Sequence, residues 1–333
     1  MEILGVNPWA LLGFAFAAYA VVGNDALQTL GTFITSNRKL PWWALFMFAA
    51  TVFCIVIAFG YMQFHGDPSW GRLSNVNKYP VFDVKWYHVI PPLALLIVTR
   101  FGIPVSTSFM ILSIFASMEG LTSMIQKSLY AYVVSFVVGV VLYAVLAPTL
   151  ERYFLKTPEK GQKPFWIMLQ WFTTSYLWGV WVIQDSSNIF VFLPRNLEVV
   201  QLVAAVGIVL LLLLITFATG GGPVQKVLRS KTSVTDIRSA TIIDFTYASL
   251  LAYFAYISKT PMSTTWAFVG FIGGRELAIA TIDKVRSTGA TFGVIGMDLL
   301  KVGSGLVISV VMAVGLPRLA AALAGAASTA LGN

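Results

Sequence analysis

The chain has 333 residues, of which 57% are apolar and only 11% charged, with a mean hydropathy of +0.80. Soluble domains carry about a quarter charged residues, so this composition excludes a soluble globular protein and implies an all-α polytopic membrane protein. The net charge of +8 raises nucleic acid as a partner, but its carriers sit in short loops, as topogenic charge near the cytoplasm does, and no nucleic-acid role is expected.

Along the chain, 7–22 reads as a first apolar helix broken at 23–32, where Asn24, Asp25, Gln28, Thr29 and Thr32 arrive together. Ionisable groups at membrane depth are costly and mark ion or substrate paths. A clean span follows at about 42–62, then a polar stretch at 63–85. The apolar run 86–99 contains Pro91 and Pro92 and leads through Arg100, Gly102 and Pro104 to Ser106, Thr107 and Ser108. Two short apolar arms around such a tip predict a broken helix or re-entrant hairpin, tolerated only where protein or a wet cavity surrounds it. The run 128–148 spans again.

The segment 151–163, with four basic and two acidic residues, reads as a linker between halves 1–150 and 164–333. After it an aromatic run from Phe165 reaches Gln184, Asp185 and Asn188. The run 198–218 spans, Gly220 to Pro223 opens a basic loop, and 241–258 leads to Ser263, Thr264 and Thr265. A last span is expected at about 302–323.

The offsets support a duplication: Asp25 to Asp185 is 160 positions, and Pro104 to Pro261 and Glu119 to Glu276 are each 157. Matching broken helices in two halves point to a secondary transporter with its site at the repeat interface. The halves are inverted if each crosses the membrane an odd number of times. Sequence alone leaves the number of coupling ions, the orientation and the oligomeric state open, a homodimer included.

Each polar cluster has its own chemistry. Ser106-Thr107-Ser108 and Ser263-Thr264-Thr265 offer hydroxyl donors at predicted helix starts, where free N–H groups also favour an anion. Two such tips can surround one oxyanion; ordinary helix capping is the simpler alternative. Asn24, Asp25 and Gln28, with Gln184, Asp185 and Asn188, supply the oxygen ligands that hard cations prefer. Unwound backbone beside Asp25 and Asp185 is expected to add carbonyls. Glu119 and Glu276 are either interfacial charges at helix ends or further coupling sites. Asp298 and Lys301 read as an i, i+3 pair at a helix entrance.

No enzyme is expected. Two histidines and the single Cys54 leave too little for a nucleophile–base pair or a zinc site, and no cofactor is called for beyond a coupling ion. No Lys or Arg precedes the first apolar run, so a cleaved leader is not expected.

These motifs resemble the inorganic phosphate transporter (PiT) family, which includes sodium- or proton-coupled phosphate carriers and related sulfate permeases. Asn24-Asp25, Gln28 and Gly31-Thr32 resemble its first signature, Asp185 and Asn188 the second copy. Pro104 to Ser108 and Pro261 to Thr265 resemble its two hydroxyl motifs, and Val227 to Thr235 its basic segment. Phe109 and Trp266 stand where the family has histidine, Gln28 and Gln184 where it has asparagine, and Val191 where it has glycine. The resemblance implies sodium on the Asp/Asn/Gln residues and phosphate on the Ser/Thr residues, in a multi-pass protein of the cell membrane. Sulfate with proton or sodium coupling is the alternative, and an oxyanion channel the third.

Overall fold

The computed structural model describes residues 5–37, 39–100, 105–146, 149–150, 152–157, 160, 163–219, 236–282 and 288–331. Expectations placed on Arg38, Pro104, Glu151, Pro158, Gly161 and 220–235 lie outside the described residues, as do the side chains of Gln28, Thr32 and Arg100.

In chain order the helices are α1 (Pro8–Asn24), α2 (Ala26–Ser36), α3 (Trp42–Gln63), α4 (Ile90–Arg100) and α5 (Thr107–Leu112). There follow α6 (Met118–Leu146), α7 (Arg152–Lys156), α8 (Pro164–Phe190), α9 (Val199–Ala218), α10 (Ile237–Ile257), α11 (Thr264–Ile282) and α12 (Thr288–Leu331). Five of them, α3, α6, α9, α10 and residues 289–326 of α12, are long and apolar enough to cross a bilayer, and α1 with α2 forms a further pair bent by 45°. Met47, Ile55, Phe59, Leu211, Ile215, Val307 and Val311 are exposed on these helices. Large apolar faces of this kind suit hydrocarbon rather than water. The protein is an integral, multi-pass membrane protein.

Local chemistry sets the helix starts. Asn7 caps α1, its Oδ1 accepting from the Ala10 N–H at 2.8 Å with Pro8 following. Ser106 caps α5 and Ser263 caps α11, each Oγ accepting a backbone N–H, from Phe109 and from Trp266, at 3.1 Å. Pro91 and Pro92 sit at the start of α4, where their missing N–H groups cost nothing.

Three expectations are corrected. The break expected over 23–32 is confined to Asp25, whose backbone stays in the right-handed region and whose N–H still bonds to the Val21 carbonyl at 2.9 Å. No unwound stretch occurs at Asp185 either: α8 runs unbroken through Gln184–Asn188, with no glycine or proline there to end it. The last helix spans Thr288–Leu331 rather than 302–323. Its glycines do not stop it, because a lipid-facing backbone has no solvent to replace a lost hydrogen bond. Asp298 and Lys301 consequently lie well inside it, not at its entrance.

The closest packing joins α6 to α11. Gly270 and Gly274 form a Gly-x-x-x-Gly face, and a Cβ on Gly274 would fall 2.0 Å from the Phe136 carbonyl oxygen. Opposite them, α6 buries Ser128, Ala131, Ser135 and Gly139, and a Cβ on Gly139 would fall 2.3 Å from the Phe271 oxygen. Small residues let membrane helices approach until backbones touch, where dispersion is the main attraction available. Because α6 precedes the 151–163 segment and α11 follows it, this contact fastens the two parts of the chain together.

Candidate functional site

The α1–α2 bend, the start of α5, the middle of α8 and the start of α11 converge on one buried polar cluster. Asp25 is fully buried at the bend. Its Oδ1 accepts from Asn24 Nδ2 at 2.7 Å, and its Oδ2 accepts from Thr107 Oγ1. Asn24 Nδ2 also reaches the Val105 carbonyl at 3.4 Å, which fastens the bend to the approach of α5.

Asp185, fully buried on α8, is reached by side chains from both parts of the chain. Its Oδ1 accepts from Asn188 Nδ2 at 2.7 Å and lies 3.2 Å from Ser108 Oγ. Ser108 Oγ is also 3.0 Å from the Met262 carbonyl, so its one proton serves either oxygen in turn. Asn188 Nδ2 lies 3.3 Å from Thr107 Oγ1 and 3.1 Å from Ser108 Oγ. The two carboxylates are near enough to act on one another electrostatically. Thr264 stands beside Asp185 at the first residue of α11.

Among the described residues, several buried polar atoms on these segments form no aligned hydrogen bond: Gln184 Oε1, Asp185 Oδ2, Asn188 Oδ1, and the hydroxyls of Ser186, Thr264 and Thr265, although Thr264 faces Asp185. Buried polar atoms are normally satisfied, and each left open costs about 1–3 kcal/mol. The open acceptors suit a hard cation; the open hydroxyls, able to donate, suit an anion. Gln184 is anchored through Nε2 to the Leu251 carbonyl at 2.9 Å, and its Oε1 is buried.

The remaining sequence-selected residues divide. Ser106 and Ser263 are occupied as helix caps, the simpler reading of those two hydroxyls. The Ser263 N–H is held by Ser128 Oγ on α6 at 2.9 Å. Asn24, Asp25, Thr107, Ser108, Asp185, Asn188 and Thr264 are brought together, and Gln184 and Thr265 are buried next to them in the chain. Glu119 and Glu276 are not. Glu119 is exposed in the first turn of α6, while Glu276 lies inside α11, 3.5 Å from Arg275 Nη1. Their matched sequence positions are therefore not matched structural ones, because α5 ends at Leu112 whereas α11 continues to Ile282.

Sequence reasoning passed over Arg72. It belongs to the 63–85 stretch, yet it is buried, with Nε donating to the Ile183 carbonyl at 2.7 Å and Nη1 to the Lys259 carbonyl at 3.4 Å. Burial lowers its pKa to about 10, opposed by Asp185, so it stays charged at neutral pH. Asp67 organises this loop by accepting the N–H groups of Ser69 at 2.7 Å and Gly71 at 3.0 Å. Gly66 and Gly71 take the positive φ values of 100° and 66° that the turns need. The Gly-Asp and Gly-Arg steps were a signal for turns, not for a cation buried near Asp185.

No protein-family model matches this chain, and no curated protein matches it. Among solved structures, one titled "The sodium-dependent phosphate transporter" superposes with a TM-score of 0.61. The match covers 92% of this chain and 97% of that one, at 15% sequence identity. Nearly whole-length coverage in both directions places the chain in the same fold.

Proposed function

We propose that this chain is a secondary transporter of a small inorganic oxyanion, phosphate first, coupled to sodium and working by alternating access between inverted halves. The observation that carries this reading is the meeting of Asp25 and Asp185 with hydroxyls from two helix starts, Thr107 and Ser108 of α5 and Thr264 and Thr265 of α11. Acceptors with open lone pairs and donors with no partner share one buried site. A cation and an anion would each complete what the other cannot. The N-terminus of α11 adds the positive end of a helix dipole on the anion side, and Arg72 adds a fixed positive charge behind Asp185. The likeness to a solved sodium-dependent phosphate transporter supports the same reading at the level of fold.

The test is uptake into proteoliposomes of labelled phosphate and labelled sulfate, each under an inward sodium gradient, a proton gradient or neither. Phosphate uptake driven by sodium supports the proposal. Uptake driven by protons, or sulfate in preference to phosphate, would move the assignment to the sulfate or proton-coupled alternative. Flux that ignores both gradients would make it an oxyanion channel.

A further inference from the structure

A cavity of about 260 Å³ lies where the start of α1, the 80–84 stretch and the 191–195 loop meet. With roughly 30 Å³ per liquid water, it has room for a small oxyanion together with some of its hydration. Asn7, Asp83, Phe115, Phe192 and Arg195 are among the residues lining it. Arg195 contributes a guanidinium whose Nε and Nη1 are buried and have no hydrogen-bond partner. Asp67 attracts it through space but makes no hydrogen bond with it among the described residues, its oxygens accepting from Ser69 and Gly71. Asp83 lines the same cavity from exposed chain and forms no ion pair with Arg195 among the described residues. A guanidinium that lines the cavity and keeps two buried N–H donors unpaired can turn them to an acceptor there, and its planar geometry matches a tetrahedral oxyanion two oxygens at a time.

The cavity is also connected to the central cluster by chain. Phe115 follows Ser108 by seven residues and Phe192 follows Asn188 by four, so two separate segments run from cluster to cavity. At their far ends the two rings pack edge to face, 4.9 Å between centroids. Phe192 is seated directly on Gly13, where a Cβ would lie 2.3 Å from the ring. Phe14 and Phe190 pair beside them at 6.0 Å.

We propose that this cavity is a waiting site for the oxyanion, held by Arg195, with the Phe115–Phe192 pair as the barrier between it and the central cluster. The inference rests on the carrier reading above and adds a second anion position to it.

The experiment measures equilibrium binding of labelled phosphate to the full-length protein in nanodiscs, across a series of salt concentrations. Two classes of site are expected in the unsubstituted chain. Arg195→Gln should remove one of them, or weaken it roughly ten- to a hundredfold, as loss of hydrogen bonds to a charged ligand does. That class should also be the more salt-sensitive, and Arg195→Lys should restore part of it. Thr264→Val should affect only the other class. Curves for Arg195→Gln and Arg195→Lys that superimpose on the parent's at every salt concentration would overturn the proposal. Should Arg195→Gln not fold, Asp83→Asn decides: it removes the one carboxylate on the cavity lining among the described residues and should tighten the class, and an unchanged curve overturns the site. If no flux is found and Thr264→Val changes nothing, the carrier reading fails, while an Arg195-dependent class measured in the same samples keeps the anion site.

Discussion

Thr264 offers the sharpest separation of a binding role from a structural one. Its hydroxyl is buried beside the Asp185 carboxylate without an aligned hydrogen bond, and its backbone carbonyl, which accepts from Tyr247 Oη at 3.0 Å, is untouched by a side-chain change. Thr264→Val therefore removes a hydroxyl whose polar neighbour is Asp185 and breaks no well-formed internal bond. Ligand-free stability should change by no more than about 1 kcal/mol, the net worth of a typical hydrogen bond. Thr107→Val is the contrast, because Thr107 donates to Asp25 and lies within reach of Asn188 Nδ2. Losing that donor should cost about 1–3 kcal/mol. Phosphate affinity should fall in both variants by about ten- to a hundredfold, one hydrogen bond to a charged ligand each. Thermal melting with and without phosphate, beside direct binding, reads both quantities on the same samples. A Thr264→Val protein that melts lower and binds phosphate as the parent does would refute the argument.

Gly274→Ala should separate α6 from α11, because its Cβ would sit 2.0 Å from the Phe136 oxygen; melting in detergent should drop by about 1–3 kcal/mol or more. Gly273→Ala is the matched control, since its Cβ would come no closer than 3.6 Å to any neighbour and should be tolerated. Asp25→Asn and Asp185→Asn should each abolish sodium-driven uptake while the purified proteins still fold; unchanged sodium dependence would remove these aspartates from the cation site. Glu119→Gln and Glu276→Gln should leave both ion dependence and the pH profile of uptake as they were, given their distance from the cluster; a flattened profile would restore them as coupling groups.

What the sequence made legible follows from how local each feature is. The spans over 42–62 and 198–218 are uniformly apolar and end at polar residues, and the structure has Trp42–Gln63 and Val199–Ala218. The helix starts at Ser106 and Ser263 were legible for the same reason, since a cap is written in four consecutive residues. The membership of the central cluster could be guessed from repetition alone. Its partition could not: which hydroxyls cap a helix, and which stand open, depends on rotations and neighbours far along the chain. Arg72 was missed because its burial is decided by the carbonyls of Ile183 and Lys259, more than a hundred residues away. The Gly270–Gly274 face was missed because Gly-x-x-x-Gly gains meaning only with small residues opposite, and these lie on a helix whose register is set by the whole bundle.

On the carrier reading, the synergy between the two ligands would come from electrostatics, while alternating access would supply the movement. Asp25 and Asp185 are buried in one site, and an oxyanion entering it while either is ionised would meet like charge. At an effective dielectric near 20, one pair of like charges about 4 Å apart costs about 4 kcal/mol, close to a thousandfold in affinity. The hydroxyls of Thr107, Ser108, Thr264 and Thr265 can recover part of that through hydrogen bonds, but neutral donors cannot remove the repulsion. Arg72 offsets one charge at most, and two of its donors are already held by backbone carbonyls. On that reading the anion would bind well only after cations or protons have neutralised the aspartates, and cations in turn would be held more firmly once the anion is present. Binding each raises the affinity for the other by the same factor. Neutralising one aspartate should therefore do two things at once: end the demand for the co-ion and let the anion bind without it. A variant that lost both anion binding and sodium dependence would show that Asp25 and Asp185 hold the site's shape instead of its charge balance.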